Sequence, residues 1–237
     1  MSKLLSRNYV LLFLAICSVF MLGMNFLPND LIDPFAGDTP PANNNENTGL
    51  SHPDLSFNPT LVPRIQSVDD LVEYARKQVI ISGKSDTDKQ AMMETLGWLG
   101  EARFRHAYSV YGLHDNWIAV VLGKLVWPDL AAIVDPDDIL KHPTAACSQV
   151  SLVLMKAAKI LKIPTRKVGF EGHFSIEARI NDKWYFIDAN RKPDFSVIGG
   201  RKGLAEIIDE GMQYQLYSTT GMDSVAIDRM FSVVQYY

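Results

Sequence analysis

Three residues in the second half of this chain could do covalent chemistry together: Cys147, His173 and Asp188. A thiol becomes a nucleophile as the thiolate, an imidazole can take and return its proton, and a carboxylate can fix the imidazole's tautomer. Cys147 and Cys17 are the only cysteines, so neither a disulfide framework nor a cysteine-rich zinc module can be built. On its own, Cys147 reads as readily as a small buried hydrophobe. Its position argues for chemistry. It falls in the first turn of a helix read over 145–163, where Val150, Leu154, Ala157, Ala158 and Leu161 mark one face. Unpaired backbone N–H groups and the positive end of the helix dipole lower a thiol pKa there, and the same N–H groups can bind a developing oxyanion.

The other two residues belong to a hairpin. Residues 173–180 alternate in polarity, Asn181-Asp182 supplies a tight turn, and 183–188 return as the partner strand. With a two-residue turn, Ile180 faces Lys183; counting back, Ser175 faces Asp188 and His173 faces Asn190. His173 and Asp188 then share one face as diagonal neighbours, roughly 7–8 Å apart in the backbone and within side-chain reach. Taken singly, each could be a solvated strand end. Taken with a cysteine at a helix start, they make a nucleophile, a base and an orienting acid.

The elements that must position them are of two kinds. Helices are expected from Ser67-Val68-Asp69-Asp70 through Val79, over 88–105, and over 114–130, the last expected to be buried because it is apolar nearly throughout. Residues 137–144 read as a polar connector. Lys156, Lys159 and Lys162 gather at the end of the cysteine helix, which Pro164 stops. Strand periodicity begins at 166–170, and helices are expected again around 205–208 and 225–230. Helices followed by an antiparallel, hairpin-rich sheet make an α+β pattern.

On these residues the chain resembles a known family. Ala146-Cys147-Ser148-Gln149, the run Leu161-Lys162-Ile163-Pro164-Thr165-Arg166-Lys167-Val168, Gly172-His173 and Asp182-Lys183-Trp184-Tyr185-Phe186-Ile187-Asp188 are similar to the transglutaminase-like core of the papain-like superfamily. The resemblance covers about 145–195. It implies a Cys–His–Asp triad of Cys147, His173 and Asp188, and an amide- or ester-directed reaction through a thioester. It also implies an upstream oxyanion side chain, for which Asn116 and Trp117 are in the right stretch; the Cys147 N–H is the donor read here. Phe174 and Ser175 follow the histidine where the family often has Trp, and Ala189 follows the aspartate where Pro is common. Family members include cross-linking enzymes, peptidases, amidases and inert modules.

Composition closes off other classes. Lys and Arg number 23 against 27 Asp and Glu, a net charge of −4, so a nucleic-acid partner is not expected. No histidine cluster has metal-ligand spacing: His106 and His114 flank Tyr108 and Tyr111 without further ligands, and His142 sits in a loop. Gly199-Gly200-Arg201-Lys202-Gly203 lacks the strand that a phosphate loop follows. No cofactor and no metal are expected. Apolar residues make 47% of the chain, but they are unevenly spread. Residues 9–27 are almost wholly apolar behind Lys3 and Arg7. About 20 such residues span a bilayer, whereas a signal peptide's apolar run is about 7–15 residues and ends at a small-x-small site. We therefore expect 1–27 to be a tail and transmembrane anchor, with cleavage as the other reading. Residues 28–63, rich in Pro and Asn, read as a linker, and 64–237 as the domain. Asp30, Asp33 and Asp38 on the far flank put the tail in the cytoplasm by the positive-inside rule. In a bacterial cell the domain would face the periplasm, tethered to the inner membrane. The expected partners are an envelope peptide or acyl-bearing substrate and envelope assembly proteins. The alternatives are a non-catalytic interaction module in an envelope or exopolysaccharide assembly complex, and a structural anchor-and-spacer.

Overall fold

The computed structural model describes residues 57–237. The apolar run 9–27 and most of the linker lie outside the described residues. Among the described residues no helix is long and apolar enough to cross a membrane. The packed chain reaches back a little further than position 64. A 3-10 turn at Pro59–Arg64 is capped by Asn58, and Leu61 and Ile65 are buried.

Helix α1 (Val68–Ile81) starts at Ser67, whose side chain accepts from Asp70 N, with Asp69 and Asp70 in the first turn. Cap and charge both suit the positive end of the helix. Helix α2 (Lys89–Arg103) is capped by Asp88 in the same way. Their apolar faces carry Leu71, Ala75 and Val79 from α1 and Met92, Leu96 and Leu99 from α2, all nearly inaccessible.

Residues 110–132 are the described part of one of two compact units. It holds helix α3 (Leu113–Leu125), kinked at Asn116, and a 3-10 turn at Pro128–Ala131. Tyr111 N donates to Ala131 O, and Val110 bridges Ala132. This corrects the expectation of a buried helix over 114–130. Only Leu113, Val120 and Gly123 of α3 are buried, while Leu125 is 79% and Trp127 60% exposed. Among the described residues, the apolar faces of this helix are only partly covered.

The remaining residues make the main unit. Residues 137–144 are not only connector: helix α4 (Pro136–Leu140) opens on Pro136 and is capped by Asp135, which accepts from Asp137 N and Asp138 N. Helix α5 (Cys147–Ile160) follows. Then come β1 (Thr165–Phe170), β2 (His173–Ile180) and β3 (Lys183–Ile187), and helices α6 (Leu204–Asp209), α7 (Gln213–Leu216) and α8 (Ser224–Phe231). A last strand, β4 (Val234–Tyr236), closes a four-stranded antiparallel sheet in the order β3-β2-β1-β4. The fold is mixed α+β, as the sequence pattern implies.

The hairpin register matches the expected one, running from Ile180↔Lys183 to Ile176↔Ile187. Asn181 and Asp182 both have positive φ, 51° and 62°, as a two-residue primed turn requires. One face of the sheet carries Val168, Phe170 and Phe186 into a core with Leu204, Leu216, Tyr217, Ile227 and Met230. The other carries Ile176, Ala178 and Ile187 on the side of α5 and α2. Two glycines on α2 allow that approach. A Cβ at Gly97 would lie 3.0 Å from Ile187 Cγ2, and one at Gly100 would lie 3.1 Å from Val150 and 3.2 Å from Ala189. The end of β3, and with it Asp188, is thus seated directly on α2.

Candidate active site

Cys147 is the first residue of α5, with Ala146 at the N-cap. The helix start is fixed by Gln149, which is buried and fully bonded. Its Oε1 accepts from Ala146 N (3.1 Å) and Ser109 N (2.9 Å), and its Nε2 donates to Ser109 O and Ile133 O, both at 2.8 Å. Ser109 and Ile133 are the points from which 110–132 departs. One amide therefore ties the cysteine's turn to both ends of that excursion.

His173 opens β2, and Asp188 directly follows β3. The ladder stops at Ile187, so Asp188 does not pair with Ser175 as simple counting suggests. Its Oδ1 instead accepts from the backbone N–H of Asn190 (3.0 Å) and Arg191 (3.2 Å), which turns the chain. Its Oδ2 faces His173 Nε2 at 2.9 Å. The side chains are 2% and 0% exposed, so little water competes for this contact. With Nε2 donating to the carboxylate, Nδ1 is the ring nitrogen left for the thiol. Cys147, half-buried, is close enough to the His173 ring and the Phe174 backbone for both to act on its thiol electrostatically. The structure thus brings Cys147, His173 and Asp188 together.

Their electrostatics favour charge separation. Burial pushes the Cys147 thiol up, but the His173 hydrogen bond, the imidazolium charge and the Phe174 backbone bond together hold it below its ordinary value. Burial pushes His173 down, and Asp188, by charge and hydrogen bond with help from Cys147, raises it net. Burial likewise opposes the Asp188 charge. His173, the Arg191 charge and the Asn190 N–H overcome it and hold the carboxyl at about 2.

Four residues near this centre escape sequence reasoning. Tyr217, fully buried, donates its hydroxyl to the same Asp188 Oδ2 at 2.9 Å. It lies 29 residues further along the chain, just after α7, and no local pattern marks it. Burial first, then the Asp188 charge, drives its phenol far above the ordinary range, so it stays a donor. Arg191 places Nη1 3.2 Å from Met222 Sδ, and its charge favours the Asp188 carboxylate over His173 protonation. His106, read from sequence only as a possible ligand without partners, sets Nδ1 3.4 Å from Asn190 Oδ1, and burial keeps it on the neutral side. Lys167 holds its ammonium 3.9 Å from the centre of the Phe174 ring. Burial lowers its pKa and the nearby Cys147 charge raises it.

Other residues weighed from sequence fall elsewhere. Asn116 and Trp117 belong to the 110–132 unit, where Asn116 Oδ1 accepts from Ala119 N behind the kink (3.1 Å). His142 lends its carbonyl to Arg103. Ser175 Oγ is buried and has no hydrogen-bond partner among the described residues. Among the described residues no group of three His, Cys, Asp or Glu could hold a metal ion.

Tyr217→Phe tests the shared oxygen. A hydrogen bond to a carboxylate contributes about 1.5–3 kcal/mol, and the phenyl ring keeps the packing. Asp188 has a depressed folded pKa, so stability linked to its charge is present above the unfolded value near 3.8 and is lost as pH falls through about 2. Denaturant unfolding at pH 7 should show the cost, and at pH 2 most of it should have disappeared. An equal cost at both pH values would reduce Tyr217 to packing alone.

No known family model matches this chain, and no curated protein sequence matches it. Among solved structures, one described as a crystal structure of a TGase is similar at 17% identity and a TM-score of 0.32, over 52% of this chain and 31% of that one. The chain therefore spans less than a third of that protein's length.

Proposed function

We propose that this protein is a thiol enzyme of transglutaminase-like type, in which Cys147 attacks an amide or ester carbonyl, His173 moves the proton and Asp188 orients His173. The observation that carries the reading is His173 itself. One ring nitrogen is bonded to a buried carboxylate at 2.9 Å, and the ring is coupled electrostatically to a thiol at a helix N-terminus.

In this reading the Cys147 thiolate adds to the carbonyl carbon, and the oxygen takes the charge. The Cys147 N–H, among those without an intrahelical partner, stabilises that oxyanion. The C–N or C–O bond then breaks as His173 gives its proton to the leaving amine or alcohol. A thioester remains on Cys147. Water, or an amine or hydroxyl acceptor, attacks it as His173 takes the incoming proton. The C–S bond breaks, and the thiolate–imidazolium pair returns. Water gives a hydrolase or peptidase; another acceptor gives an acyltransferase.

The address rests on sequence. Residues 9–27 serve as a single-pass inner-membrane anchor with the N-terminus in the cytoplasm, 28–63 as a linker, and 64–237 as a periplasmic domain. The substrate is then an envelope peptide or an acyl group on an envelope polysaccharide.

Alkylation of Cys147 by iodoacetamide, followed between pH 4 and 9 and read at that residue by peptide mass spectrometry so that Cys17 does not contribute, tests the chemistry. The rate should follow a midpoint well below the roughly 8.5 of a free thiol, because the thiolate persists until pH falls through its lowered pKa. A rate that keeps falling below pH 8 like that of an ordinary thiol would leave a non-catalytic interaction module.

A further inference from the structure

The far end of the cysteine helix carries a second feature. Lys156, Lys159 and Lys162 line a hollow of about 470 Å³ together with Met155, Ile163 and Thr165. All three lysines are exposed, and none pairs with a carboxylate among the described residues. This is unlike Lys77, Lys84, Lys192 and Lys202, each 2.5–3.8 Å from one. The negative end of the helix dipole accounts for lysines near a helix C-terminus, but not for a hollow between them. The hollow and the thiol lie at opposite ends of the same helix. Thr165, Lys167 and Gly169 share one face of β1 by strand alternation. Lys167 lies against the Phe174 ring, and Lys167 and Phe174 both interact electrostatically with Cys147. Positive groups therefore stand both at the hollow and in the neighbourhood of Cys147, in a chain whose net charge is −4.

We infer that the substrate engaged by Cys147 is an acidic polypeptide, its carboxylate side chains held by Lys167 beside the thiol and by the hollow of Lys156, Lys159 and Lys162. The inference rests on the thiol-enzyme reading and narrows its substrate class. A polypeptide offers an attackable carbonyl at every residue, whereas an acidic glycan offers one only where it is esterified or amidated. Helical rise sets the spacing. Lys156 and the end of α5 lie about 14 and 20 Å from Cys147 along the axis. An extended peptide covers about 3.3 Å per residue, so acidic side chains roughly four to six residues from the reacting carbonyl reach the hollow.

The test measures Cys147 alkylation on the full chain with poly-L-glutamate, with polygalacturonate, or with neither. Poly-L-glutamate should slow alkylation, and 0.5 M salt should remove the protection. In a Lys156→Gln/Lys159→Gln/Lys162→Gln variant, compared with its own polymer-free rate, the polymer concentration needed should rise about tenfold or more. Protection unchanged in that variant overturns the hollow's role. Equal or better protection by polygalacturonate overturns the peptide assignment in favour of a glycan. No protection by either polymer, with the polymer-free rate still high below pH 8, overturns the substrate inference and leaves the thiol enzyme standing. An ordinary polymer-free pH profile removes both.

Discussion

Asp188→Asn should lower the alkylation rate of Cys147 at pH 6 by about two orders of magnitude, and acyl turnover of an activated ester such as p-nitrophenyl acetate by at least as much. The carboxylate accepts from His173 Nε2 at 2.9 Å. A carboxamide there presents either its own N–H, which collides with Nε2–H, or a neutral oxygen that supports the imidazolium far less. Both outcomes favour the neutral ring or its other tautomer. The thiol then loses the charge that offsets its burial and returns toward an ordinary value near 8.5, where only about one molecule in 300 is thiolate at pH 6. Asparagine can still accept the Asn190 and Arg191 backbone bonds that close the turn, so a folded protein is expected. Circular dichroism would check this. A wild-type rate at pH 6 would mean that the buried pair does not govern the sulfur.

The largest stability effect is expected at Arg103→Met. Arg103 is wholly buried, and among the described residues no carboxylate pairs with it. Its Nε donates to Ile65 O (3.1 Å), Nη1 to His142 O (3.0 Å), and Nη2 to Val62 O (3.4 Å) and Leu140 O. Burial lowers the guanidinium only to about 10, so it is charged at neutral pH. Methionine would fill part of the volume and leave these buried carbonyls unpaired, at a cost of about 3–5 kcal/mol. That is a large fraction of the roughly 5–15 kcal/mol typical of a domain. Urea unfolding of the variant would measure it; a loss below about 1 kcal/mol would show that water or a neighbour satisfies the carbonyls. Arg103→Lys should recover only part, because one ammonium cannot spread its donors as the planar fork does. Since Leu140 and His142 lead into α5, the same arginine steadies the approach to Cys147.

Much of this site is legible one element at a time. Cys147 at a helix start follows from the apolar spacing of Val150, Leu154, Ala157 and Ala158, and from Pro164 beyond. The closeness of His173 and Asp188 follows from period-two alternation around Asn181-Asp182. Such signals are short-range, set by 3.6- and 2-residue periods and by a turn that only certain residues accept. The same reasoning misplaced the 114–130 helix in the interior, because an apolar run says that a segment wants cover and not that cover exists.

Local patterns are thus enough for the pieces of the site: a thiol at a helix tip, an imidazole and a carboxylate in one hairpin register, and lysines at the helix's other end. Packing adds what no local pattern holds: helix tip and hairpin meet, Tyr217 binds the oxygen facing His173, β4 pairs with β1, and Arg103 holds carbonyls from chain segments 37–41 residues away. Those contacts join residues remote in sequence. They are chosen by the packing of faces that each element leaves open, and no local period encodes which open face will be filled by which partner.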